Sequence, residues 1–283
     1  MIPGILAGGI PAARPVGEVI LSTGAPNFVI PAGVNIVHCV IVGRPGAKRQ
    51  VSANEWRGGG GGSLSWRNNI SCAPGQSVVF EDLSGANADG SYCRLIINGV
   101  VVLVAYNGSG ANGGSASPPG TYPDYESYAG GSAAATNGAF TCTGGGSAGG
   151  YKSNGVSSQA VPAAPFTGSL IVTSGLTGAG GSGGSAAGTS CPRQPAVLTA
   201  AGQGGGTTLY GLLNGDDIAN NGLGGRVGTN TSMNGMDGSR HTVFESGFGG
   251  GDPGSPAAVT RYISGCRIIW GDGRSYPYAA APV

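Results

Sequence analysis

The side chains that could carry chemistry in this 283-residue chain are few, and poorly placed for it. Two acidic pairs occur, Asp216 with Asp217 and Asp124 with Glu126. Cleaving a polysaccharide takes two carboxyl groups facing each other across a groove, and near-neighbours in a loop give no reason to expect that. His38 sits inside an apolar run. His241 has no serine, cysteine or aspartate that the sequence can place beside it, so a nucleophilic triad is not supported. The acidic stretches Asn214-Gly-Asp-Asp217 and Met236-Asp-Gly-Ser-Arg240 read as turns and do not match a calcium loop. Gly58 to Gly62 lacks the Gly-Lys-Ser/Thr ending of a phosphate loop and leads into a strand, not a helix. The expected role of that run is close backbone packing, with a tryptophan (Trp56 or Trp66) covering the glycines. Cys39, Cys72, Cys93, Cys142, Cys191 and Cys266 show no metal-ligand spacing. Cys39, Cys93 and Cys266 lie in apolar runs, where cysteine behaves as a small hydrophobe, and free thiols are expected. The reading is a protein with no catalytic residue, no cofactor and no metal.

What remains is recognition. Thr121-Tyr-Pro-Asp-Tyr-Glu-Ser-Tyr128 is an aromatic cluster in polar, glycine-rich surroundings. Tyrosine gives rigid, amphipathic contact area at low entropic cost, so Tyr122, Tyr125 and Tyr128 are the candidate receptor-binding residues. The competing reading makes them caps on the glycine-rich region. The leader, residues 1–13, is too short to fold alone. Ile2, Ile5, Leu6 and Ile10 make it a candidate docking peptide, the alternative being a frayed terminus.

Charge narrows the partners. Net charge is +1, so nothing favours nucleic acid or an anionic membrane. Lys48 and Lys152 are the lysines, and arginine supplies the remaining basic residues. Arginine suits planar, multi-donor hydrogen bonding in fixed structure. The apolar runs Val34–Val42 and Leu95–Ala105 are too short or too interrupted to span a bilayer. The first ten residues lack a basic start and contain Pro3, unlike a secretory signal, so synthesis in a cytoplasm without the usual export is expected.

The elements that would position these residues are strands. Val16–Leu21, Asn27–Ile30, Val34–Val42, Ser63–Cys72, Gln76–Glu81, Tyr92–Ile97 and Val100–Tyr106 carry β-branched or alternating apolar patterns between turn residues. Ala73-Pro-Gly75 is expected to join Ser63–Cys72 and Gln76–Glu81 as a hairpin. Asn98-Gly99 is a tight-turn signal between two further strands. Residues 14–106 therefore read as a compact antiparallel β-sandwich. Arg261–Trp270 is expected to return to it, with 261–283 closing the core.

Between them, residues 107–260 form a glycine-rich domain. Seventeen of the 59 glycines precede residue 107 and three follow residue 260. In Gly175-Leu-Thr-Gly178-Ala-Gly-Gly181-Ser-Gly-Gly184 glycine recurs at every third position. Three is neither the helical period nor the strand period; it is that of a polyproline-II-type helix, whose backbone groups must pair with neighbours or water. Side by side, such segments could form a slab of packed polyglycine-II helices, the alternative being a flexible linker. The expected fold class is all-β, with this long glycine-rich insertion.

Two parts of the chain resemble glycine-rich structural proteins of tailed bacteriophages. One is Pro31-Ala-Gly-Val34, followed by Gly58–Gly62 and a strand with Pro74-Gly75-Gln76. The other is the ending Gly265-Cys-Arg-Ile-Ile-Trp-Gly-Asp-Gly-Arg-Ser-Tyr-Pro277, which looks like the Arg-Ile-Ile-Trp-Gly-x-Gly-Arg end of many phage virion proteins. The resemblance implies a virion protein made in the host cytoplasm, a tail fibre or tip adhesin that binds a host surface receptor (a glycan or an outer-membrane protein). It implies other virion proteins as partners, and a homo-oligomer, with a trimer favoured. A capsid decoration protein, head fibre or tail adaptor with a purely structural role is the alternative.

Overall fold

Runs rich in valine and isoleucine, cut by Pro-Gly and Asn-Gly turns, leave the backbone little but strand to adopt. The computed structural model describes residues 15–22, 24–44, 46, 49–52, 55–57, 60–83, 91–110, 112, 114–116, 125–132, 149–151, 154–155, 157 and 264–277. Among these residues the fold is all-β, with no helix. The strands are β1 (Gly17–Ser22), β2 (Phe28–Val29), β3 (Ile36–Val42), β4 (Arg49–Ser52), β5 (Glu55–Arg57), β6 (Leu64–Ser71), β7 (Ser77–Asp82), β8 (Tyr92–Ile97), β9 (Val100–Tyr106), β10 (Glu126–Tyr128) and β11 (Gly265–Trp270).

They form a five-stranded sheet of order β1-β11-β3-β6-β10, a four-stranded sheet of order β2-β7-β8-β9, and the β4-β5 pair. All pairings are antiparallel. One apolar cluster draws on both larger sheets: Val37, Cys39, Ile41, Ile70, Cys266 and Ile268 from the first, Val78, Phe80, Cys93, Leu95, Ile97 and Leu103 from the second. The opposite side of the five-stranded sheet buries Val40, Val42, Leu64 and Ile269 with Tyr151 and Tyr276. That explains the nearly unbroken apolar sequence of β3 and β11: both strands are covered on two faces.

β11 lies between β1 and β3, nearly 250 residues from one neighbour in sequence and well inside the sheet. β10, from the glycine-rich middle, extends the same sheet at β6. The Asn98-Gly99 turn joins β8 and β9, both residues with positive φ (50° and 77°), as a tight primed turn requires.

The expected hairpin between the sixth and seventh strands does not form. β7 lies in the other sheet, paired with β2 and β8, while β6 pairs with β3 and, at Leu64–Trp66, with β10. The Ala73–Gln76 turn instead passes the chain to the other sheet. Gly75 N–H donates to the Ile30 carbonyl (2.9 Å) and Ile30 N–H to the Gln76 carbonyl (2.9 Å), which aligns β7 beside β2.

Candidate functional site

Four strands leave the core at one end and run into glycine. β3 continues into Gly43–Gly46, β9 into Asn107–Gly110 and β10 into Ala129–Ser132, while Gly60–Ser63 leads into β6. Beyond the sheets these segments bond to one another, with Gly60–Ser63 at the centre. Gly60 donates to the Gly110 carbonyl and accepts from Gly46 N–H. Three residues on, Ser63 donates to Tyr106 and accepts from Gly43. Gly61 donates to Gly131 and accepts from Gly114, and Gly62 accepts from Gly149. The seven bonds span 2.8–2.9 Å and reach five separate stretches of chain, and Gly60 and Ser63, three residues apart, bond to the same two of them. Three more cross-links, Gly108 to Arg44, Gly130 to Gly114 and Gly155 to Ala129, tie the outer segments together.

Glycine is required here for proximity. A Cβ on Gly43 would strike the Tyr106 carbonyl, on Gly46 that of Gly110, on Gly62 that of Gly43, on Gly108 that of Gly60, on Gly130 that of Gly61 and on Gly149 that of Tyr128. None of these six glycines has a positive φ. Asn107 anchors the base of the array. Its side-chain oxygen accepts from Arg44 N–H (2.7 Å), and its amide donates to Asp82 and to Ser91 (both 3.3 Å). Asp82 in turn accepts from the Ser264 hydroxyl (2.6 Å), just before β11.

Of the tyrosine candidates, Tyr128 falls beside this array, at the end of β10. Tyr125 is half-buried against the main apolar cluster. Tyr128 stands opposite Leu64 in the β10–β6 pair, and its hydroxyl donates to Glu126 (3.2 Å). Burial, with the Glu126 charge next, raises its pKa above the ordinary 10.0. Tyr122 and the docking candidates Ile2, Ile5, Leu6 and Ile10 lie outside the described residues, as do Asp124, Asp216, Asp217 and His241.

A second feature, not foreseen from sequence, lies at the opposite end of the five-stranded sheet. A cavity of about 370 Å3 is walled by Pro15, the Gly33–Ile36 turn into β3, His38, Asn69 and the Trp270–Ser275 segment. A bulge builds one wall. His38 faces both Asn68 and Asn69 where the β3–β6 register slips, and Asn69 takes φ 55°, which asparagine tolerates. The bulge releases Asn68 from the ladder. Its amide donates to the Tyr276 carbonyl (2.6 Å), and its oxygen accepts from Tyr276 N–H (2.9 Å) and lies 3.0 Å from His38 Nδ1. The Asn69 N–H lies 3.4 Å from the same Nδ1, so that nitrogen faces an acceptor at 3.0 Å and a donor at 3.4 Å, and its role turns on the tautomer. Burial lowers the His38 pKa below 6.5, against the Asn68 bond and with help from the Arg274 charge, so the ring is neutral near pH 7.

Charge at this end is nearly balanced. Arg274 is committed, Nη1 to the Gly17 carbonyl (2.7 Å) and Nη2 to Glu18 (2.6 Å). Glu18 also takes Nη2 of the fully buried Arg267 (2.7 Å). Burial works to raise the Glu18 pKa, but hydrogen bonds from the two guanidiniums outweigh it and hold the carboxyl below 4.5. Among the described residues no group of histidine, cysteine, aspartate and glutamate is arranged to hold a metal ion. The sequence signal that could have located the cavity is the ending Trp270-Gly-Asp-Gly-Arg274, two positive-φ glycines (Gly271, 114°; Gly273, 77°) bracketing an exposed aspartate. No protein-family model matches the chain, and no curated protein matches it in sequence.

Proposed function

We propose that this chain is a non-enzymatic structural component of a bacteriophage virion, a tail fibre or tip adhesin whose glycine-rich loops meet a host surface receptor. The observation that supports it best is the Gly60–Ser63 backbone, bonded to five other stretches of chain, with Gly60 and Ser63 bonded to the same two. We read those stretches as polyglycine-II-type segments, and the two larger sheets as a sandwich that carries them. A lattice of this kind holds loops rigidly without a large apolar core, which lowers the entropic cost of presenting them to a partner.

Polarity supports the same reading. β3 has seven residues and spans about 23 Å, so the glycine array and Pro15, where the leader meets the core, stand well apart. A leader docked on the particle would point the array outward. Several copies on one particle, in a trimer or a larger set, would add avidity. Two measurements test this. Antibody–gold labelling should mark the tail tip of the particle, and purified chain should compete with phage for adsorption to host cells. Labelling of the capsid shell, or no competition at saturating protein, would refute the adhesin assignment.

A further inference from the structure

We propose that the cavity beside β3 and β11 is a binding site for a neutral saccharide, distinct from the glycine array and independent of the adhesin reading. Four exposed residues put polar side chains around it: Asn35, Asn69, Asp272 and Ser275. His38, 8% exposed, adds a largely buried imidazole to its lining. Trp270 borders it at the end of β11, its indole 7% exposed and held in the core by stacking on Phe28 (ring centroids 5.8 Å apart) and by the bare backbone of Gly17, where a Cβ would run into the ring. Side-chain amides, a carboxylate and a hydroxyl are groups that pair with adjacent sugar hydroxyls, since each hydroxyl both donates and accepts. The volume falls in the small-ligand range of about 300–1,000 Å3.

Rival ligand classes fit less well. For an anion the available guanidinium is Arg274, already bonded to Gly17 and Glu18, while Asp272 at the rim would repel it. For a metal ion the cavity contributes one carboxylate. An added peptide strand would need an open ladder. β3 and β11 are both interior to their sheet, and the edge strand β1 reaches the cavity through Pro15, which has no N–H to donate. The bulge at Asn69 and the positive-φ turn at Gly271–Gly273 set the backbone from which Asn69 and Asp272 project.

The test uses the purified full chain on an array carrying neutral hexose and N-acetylhexosamine oligosaccharides, their sialylated and sulfated counterparts, and a set of linear peptides. Neutral glycans should be retained. Asn35→Ala and Asp272→Ala should each weaken the best hit roughly tenfold or more, as losing a hydrogen bond to a charged or fixed polar group does. Asn69→Gly keeps the positive-φ backbone while removing the amide, and serves if either of the others fails to fold. Glu81→Gln, on the other large sheet and outside the cavity lining, should leave glycan binding unchanged. No retained neutral glycan, a preference for anionic glycans or peptides, or full binding by a folded Asn35→Ala/Asp272→Ala double variant would each overturn the site. Host adsorption is scored separately, so loss of the saccharide site and failure of the adhesin reading cannot be confused.

Discussion

The carbonyl of Gly43 occupies the space a side chain on Gly62 would need. The same relation recurs at Gly130 against Gly61 and at Gly149 against Tyr128, so the array is a set of backbone-to-backbone contacts with no slack. Gly62→Ala or Gly130→Ala must push whole segments apart. Each is expected to lose about 1–3 kcal/mol, as overpacking does, and to lower the melting temperature measurably. Gly62→Ala should cost more, because residues 60–63 bond to five neighbouring stretches. Urea denaturation of the two variants beside wild type checks this. A wild-type midpoint for Gly62→Ala would mean the array adds nothing to stability.

Glu18 neutralises two arginines with one carboxylate oxygen. Its pKa is lower folded than unfolded, so its contribution is complete above the ordinary value of 4.5 and disappears as pH falls through the lower folded value. Stability should therefore be flat near neutrality on this account and drop steeply below about pH 4.5. His38, also depressed on folding, adds an earlier loss as pH falls below about 6.5. Glu18→Gln leaves Arg267 buried without its counter-charge and should cost roughly 3–5 kcal/mol at pH 7. It should also remove most of the acid-side slope. Thermal melts from pH 3 to 8 measure both. An unchanged acid limb in the variant would show that the arginines are balanced elsewhere.

Most of the strands were legible in the sequence because valine and isoleucine runs between turn residues have few alternatives. The Asn98-Gly99 turn is the clearest instance, since its chemistry is local. The Ser63–Cys72 strand failed as a hairpin partner for the opposite reason. Which sheet the next strand joins depends on its pairing with β2 and β8, which local pattern does not report. The cavity was invisible for the same cause: Asn35, Asn69 and Asp272 lie far apart in sequence and converge because β3, β6 and β11 end at one side of a sheet. The Gly58–Gly62 run reads as close packing under a tryptophan. Gly60–Gly62 do pack closely, but against other backbones, while Trp66 lies on the second apolar cluster and donates to the Tyr151 carbonyl (3.3 Å).

Thiol chemistry offers an independent check on the core. Cys39, Cys93 and Cys266 are fully buried, Cys72 is half-buried, and all four are free. Burial raises the pKa of each, which starves them of reactive thiolate. Alkylation of native protein followed by peptide mapping should modify Cys72 slowly and leave the other three untouched at pH 8. Prior denaturation should open all four. Rapid native labelling of Cys93 would contradict its position between the two sheets, where its thiol lies 3.5 Å from the Val42 and Ala105 carbonyls.

Asn68 is the fastener of the segment after β11. Its side-chain amide copies a strand pair, donating to and accepting from the backbone of Tyr276, and it does so because the bulge frees it from β6's own ladder. Tyr276 is then fixed on Tyr151, with ring centroids 5.7 Å apart and planes within 10°. Removing the amide leaves two backbone groups of Tyr276 to find water in a buried place, a loss of about 1–3 kcal/mol. Asn68→Ala is therefore expected to lower global stability modestly while opening the 271–277 segment much more, since that segment forms one wall of the cavity but no strand. Limited proteolysis separates the two effects. Cleavage after Arg274 should accelerate severalfold in Asn68→Ala under conditions where the β-sheets stay intact by circular dichroism. Asn68→Gln, whose longer arm misplaces the same amide, should fall between. If Asn68→Ala resists cleavage as wild type does, the stacked tyrosines and the Arg274–Glu18 bond hold the segment without it.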